Sequence, residues 1–130
     1  NFRLLPGDTI EGVIEHVRRA VDDARITVEV LPGSHAIEPS PESRIDSEGY
    51  AVLTRTIREM HPDAVIAPNL VLGGTDARYF RSVSESVYRF GPLRLGPEDL
   101  KRPHGTNERI DLEDYLDIIH FYVRLLRNAG

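Results

Sequence analysis

Between Ile10 and Val21 the apolar residues Ile10, Val13, Ile14, Val17 and Val21 recur at the spacing of one helical face, while Glu15, Arg18, Arg19 and Asp22 fall elsewhere. Asp8, with Glu11 three residues on, is expected to cap this helix in a capping-box arrangement. Ahead of it, NFRLL reads as a short strand that ends at the Pro6-Gly7 turn. After Asp22-Asp23 the period changes. RITVEV puts Ile26, Val28 and Val30 on one side and Thr27 and Glu29 on the other, the pattern of a half-buried strand. Residues 1–31 therefore predict a strand–helix–strand unit, which needs further strands to cover its sheet face.

Residues 32–46 carry Pro32, Pro39 and Pro41 among serines and a glycine, and predict a crossing between two domains. Residues 47–130 then change in kind. A second helix is expected from about Ser47 to Met60, with Tyr50, Leu53 and Ile57 on one face and His61-Pro62 as its stop. AVIAPNLVLGG is a nearly unbroken apolar run, as in a strand buried on both faces. TDARYF predicts a short helical turn with Asp76 near its start, and SVYRFGPL another strand. The last helix has Asp111 as its cap and Glu113 and Asp114 in its first turn, where the macrodipole favours acids. Leu112, Tyr115, Leu116, Ile119, Val123 and Leu126 are its expected buried face, and Arg124 and Arg127 complement its C-terminal end. The class is α/β.

Composition narrows the function classes. The net charge is −5, from 16 basic and 21 acidic residues, which argues against a nucleic-acid partner. No apolar run is long enough to span a membrane, and no signal peptide is visible, so a soluble protein is expected, the cytoplasm favoured. With no cysteine, disulfides and thiolate metal sites are excluded. NFRLLPGD reads as a strand already in progress, the tail of a longer protein. Half a lid and part of a sheet would leave open strand edges, so self-association is expected.

Candidate chemistry is concentrated in two loops. His16, His35, His61 and His120 lie where solvation, a loop or a helix stop accounts for them. His104 lies in PHGTNERI, a loop ahead of a helix with no apolar face to fill, and imidazole is a common zinc ligand. A loop histidine without a ligand role is the other reading. Gly73-Gly74-Thr75-Asp76 follows an apolar run. Its glycines admit a close approach by a ligand or backbone, or the segment is a plain turn into a helix capped by Asp76.

Taken together, LVLGGTDARYF, VYRFGPLRL and HGTNERI, in that order, resemble the C-terminal end of the carboxypeptidase S-like metallopeptidases. Their superfamily includes aminoacylase, acetylornithine deacetylase and succinyl-diaminopimelate desuccinylase. NFRLLPGDTIEGVIEHVRRAV resembles the second half of that superfamily's lid, or dimerisation, domain, and IEPSPES the return to its catalytic domain. The resemblance implies a two-domain metallopeptidase: residues 1–31 in the lid, 32–46 crossing, and 47–130 the C-terminal part of the α/β catalytic domain. It implies a zinc-dependent amide hydrolase, a carboxypeptidase or N-acyl amino acid amidohydrolase, cleaving a peptide or N-acyl amino acid next to a free carboxylate.

Residue by residue, His104 matches the last ligand of a two-zinc site, with Asn107 and Glu108 completing its pattern and steadying the loop from a second shell. Arg3 matches the lid arginine that receives the substrate carboxylate, a task suited to a bidentate guanidinium. Gly74 and Thr75 match the turn lining the substrate pocket, and Asp76 and Arg78 match residues that shape it. The family's general base and other ligands have no counterpart here: neither a His-x-Asp-Val pattern nor a Glu-Glu pair occurs. The isolated chain is therefore expected to be inactive and to bind no zinc tightly. The alternatives are a non-enzymatic α/β interaction module and a degenerate family member.

Overall fold

The computed structural model describes residues 1–130. It contains three α-helices, α1 (Ile10–Val21), α2 (Glu48–Met60) and α3 (Leu112–Ala129), and two 3₁₀ turns, Asp76–Phe80 and Asp99–Lys101. The chain divides into two compact units, one of residues 1–43 with 70–87, the other of residues 44–69 with 88–130.

The first unit is organised around α1. Its N-cap is Thr9, whose hydroxyl accepts from the Gly12 N–H at 3.0 Å. Asp8, expected in that role, instead accepts from the Leu5 N–H at 2.8 Å and closes the Pro6-Gly7 turn. A residue can cap only when its side chain reaches back to the first free amides, and the helix begins one residue later than the Asp8 reading requires. Glu38 supplies a second acceptor there, with both carboxylate oxygens 3.3 Å from the Ile10 amide. An acid at that end also complements the dipole. Ile10, Val13, Ile14 and Val17 are half-buried, as the period predicts.

The second unit is a helix pair. Ser47 caps α2 by accepting from the Tyr50 N–H at 3.1 Å, and His61 ends it. Phe121 of α3 is fully buried, with the Phe90 ring tilted against it at 5.2 Å and Tyr122 edge-on at 5.8 Å. Thr54, Thr56 and Ile57 of α2 are the other buried residues of the two helices. Thr56 is tolerated because its hydroxyl donates to the Val52 carbonyl at 2.9 Å and accepts from Asn128 at 2.9 Å.

Two expectations need correction. No β-strand forms: NFRLL, RITVEV, AVIAPNLVLGG and SVYRFGPL are irregular and join no ladder, so the strand–helix–strand reading of residues 1–31 reduces to its helix. Alternation marks a segment able to pair, whereas a ladder needs a second segment beside it. Val65 stays 94% exposed. Ser43 shows the local substitute: its hydroxyl accepts from the Val87 N–H at 2.8 Å and donates to the Val87 carbonyl at 3.0 Å, satisfying both groups a neighbouring strand would have taken.

The second correction concerns α3. Its expected buried face (Leu112, Tyr115, Leu116, Ile119, Val123 and Leu126) is exposed, and the face carrying Ile118, Phe121 and Leu125 is the more enclosed one. This helix is apolar on two sides, so periodicity identifies stripes without choosing between them.

Candidate functional site

The residues expected to bind substrate lie in the first unit. Arg3 is exposed. Gly74 is exposed, and a Cβ added to it would meet nothing within 4 Å, so the space beside this turn is open. Thr75 is half-buried and caps the 3₁₀ turn, accepting from the Ala77 N–H at 3.3 Å. The cap is therefore Thr75 and not Asp76, which opens the turn as its first residue. Arg78 folds over its neighbour: its guanidinium carbon is 4.7 Å from the Tyr79 ring centre, and Nη2 donates to the Tyr79 hydroxyl at 2.6 Å. A cation held this way keeps its charge at the surface while its planar fork is oriented by the ring. No hydrogen bond or ion pair joins Arg3 to residues 74–78.

His104, Asn107 and Glu108 belong to the second unit, and all three are exposed. The loop is tightly wound. His104 and Asn107 both have left-handed backbones, at φ 62° and 61°. Histidine and asparagine are among the few non-glycine residues that accept this region. The Glu108 carboxylate accepts from the His104 N–H at 3.2 Å. Gly105 donates to the Arg102 carbonyl at 2.8 Å, and a Cβ there would stand 3.2 Å from that same oxygen. The loop thus presents the imidazole on a backbone fixed from three sides: by Glu108, by Gly105 and by the 3₁₀ turn with its Arg102–Asp99 ion pair.

No three His, Asp or Glu side chains converge, at His104 or elsewhere. A zinc centre needs about three protein ligands. The residues of this chain do not by themselves fit the metal site that the resemblance implies.

Other polar clusters missed in the sequence are fastenings. Arg94 pairs with Asp117 and lies 3.6 Å from Asp114, tying the segment before the His104 loop to α3. Its partners sit at i and i+3 on the helix, a spacing visible in the sequence, but nothing there identifies Arg94 as the third member. The side-chain hydrogen bond from Arg25 holds Asp23 below the usual carboxylate range, and Arg44 does the same for Asp46. Neither pair involves an expected site residue. A hollow of about 490 Å³ between the end of α1 and residues 23–28 contains none of them either.

The profile of peptidase family M20/M25/M40 matches residues 6–128. A probable carboxypeptidase S-like 2 of Dictyostelium discoideum is 37% identical over 99% of this chain and 24% of its own length. The human N-fatty-acyl-amino acid synthase/hydrolase PM20D1 is 37% identical over 99% of this chain and 26% of its own. Carboxypeptidase S of Saccharomyces cerevisiae is 28% identical over 72% of this chain and 18% of its own. The chain spans about a quarter of the length of the first two relatives. No solved structure matches.

Proposed function

The chain belongs to peptidase family M20/M25/M40, and from that premise we propose that it is the C-terminal quarter of a zinc-dependent amide hydrolase, acting on a peptide or an N-acyl amino acid beside a free carboxylate. Membership carries a two-domain peptidase architecture. Residues 1–31 are read as lid, 32–46 as the crossing and 47–130 as the C-terminal part of the catalytic domain. The strands wanting neighbours here would find them in the part of the fold to which this chain does not align.

In this reading His104 supplies one ligand of a two-zinc centre whose other ligands, with the general base, lie outside the chain. Asn107 and Glu108 steady its loop. Arg3 takes the substrate carboxylate through its fork, and Gly74, Thr75, Asp76 and Arg78 line and shape the pocket. The isolated chain is inactive and self-associates. One observation carries the reading: the family profile runs through both loops, within a single match over residues 6–128.

Kinetics test it. In the M20 enzyme carrying this segment, Arg3→Ala is expected to lower kcat/KM by about 2–5 kcal/mol for substrates with a free α-carboxylate. Lysine should not restore it, since a point charge cannot reproduce the fork. An equal loss on amidated substrates would show that Arg3 does not read the carboxylate.

A further inference from the structure

Gly96, Asp99, Arg102 and Gly105 fall at intervals of three residues on the approach to His104. The Asp99 N–H donates to the Gly96 carbonyl at 3.0 Å, the Arg102 N–H to the Asp99 carbonyl at 3.0 Å, and the Gly105 N–H to the Arg102 carbonyl at 2.8 Å. These bonds form a ladder of 3₁₀ type that ends one residue past His104. Its two glycines admit the close approach. A Cβ on Gly96 would stand 3.3 Å from Asp99 Oδ2, and one on Gly105 3.2 Å from the Arg102 carbonyl oxygen. One side chain clasps the ladder: Asp99 accepts from the Gly96 N–H at 2.8 Å through Oδ2 and pairs with Arg102 through Oδ1. Asp99 is therefore joined to both neighbours in the ladder twice, once by backbone and once by carboxylate. Both side chains of the ion pair are only 31% exposed, so water and salt screen it less than a pair in open solvent.

The last step of the ladder carries strain. Pro103 and His104 are the central residues of the Arg102–Gly105 turn, with proline first and a φ of 62° second, the pattern of a type II turn. That second place suits glycine. A histidine there costs conformational energy and persists only where its surroundings over-determine the backbone. The Arg102 carbonyl closes the turn, and Asp99 holds Arg102. All these bonds lie between residues 96 and 105, so none depends on what packs against the chain elsewhere.

We infer that Asp99 is a positioning residue for His104, acting through Arg102: its carboxylate fixes the ladder whose last bond holds the histidine in its left-handed conformation. The inference rests on the reading of His104 as a functional ligand and adds the group that aims it.

The test uses the M20 enzyme carrying this segment, with two readouts. The first is amide hydrogen exchange at Gly96 and Gly105 in enzyme stripped of metal, which reports the ladder before anything binds. Asp99→Ala should speed exchange at both amides. Arg102→Ala should speed it at Gly105 and leave Gly96 protected, and Arg102→Lys, which keeps a cation for Asp99, should stay close to native. The second readout is steady-state kinetics of the loaded enzyme. Asp99→Ala should lower kcat by about ten- to a hundredfold, the range for residues that orient a ligating histidine. KM should stay near native, because no residue assigned to the substrate belongs to the ladder. Unchanged exchange at Gly105 in Asp99→Ala would overturn the inference. So would faster exchange with native kcat in an enzyme that His104→Ala inactivates, and the reading of His104 would then survive. Native turnover in His104→Ala would overturn that reading and this inference together.

Discussion

His104 sits on a left-handed backbone one residue ahead of a glycine whose missing Cβ keeps the Arg102 carbonyl within reach. The Glu108 carboxylate is the group that answers the His104 amide. Glu108→Gln keeps an acceptor at that place and Glu108→Ala removes it. Amide hydrogen exchange at His104 is expected to be faster in the alanine variant and close to native in the glutamine variant. Equal protection in all three proteins would show that Glu108 does not hold the turn. The motif around His104 was legible because its residue types are unusual together. Its backbone was not, since a glycine advertises a positive φ and a histidine does not. The cation over Tyr79 was equally hidden, because adjacency in sequence says nothing about which way two side chains fold.

Among the elements, the helices were readable to within a residue or two and the strands were not. Helices close their hydrogen bonds internally, so period and caps specify them locally. The expected strands depend on neighbours that the same stretch of sequence cannot supply, and Ser43 stands in for one of them at Val87. Caps also show how narrow local margins are. Thr9 and Asp8 are adjacent acceptors, and only Thr9 reaches the helix amides. Thr9→Ala is expected to destabilise α1 by about 1 kcal/mol. Asp8→Ala should loosen the 5–8 turn and leave α1 helicity nearly native. Denaturation followed by circular dichroism compares the two. A larger helical loss from Asp8→Ala would assign the cap to Asp8 after all. On α3 the period revealed an amphipathic helix, and its partner α2 decided which stripe it covers.

At the scale of the molecule, 130 residues cover about a quarter of their relatives, and the surface shows it. Ile57 and Phe121 are the only large apolar residues that are buried, while Leu70, Val71 and Leu72 remain open. The candidate residues are arranged accordingly: each loop is well formed, and neither completes a site within the chain. The family profile spans both HGTNERI and GGTDAR, whereas composition alone would have left a generic acidic domain. The central claim is that His104 is one ligand of a metal centre finished elsewhere. Metal analysis of the M20 enzyme carrying this segment, native against His104→Ala, tests it most directly. The account predicts that the variant loses one zinc equivalent and nearly all turnover with its fold retained, and that the 130-residue chain alone binds zinc weakly. Full metal content in His104→Ala, or tight stoichiometric zinc on the 130-residue chain, would contradict it.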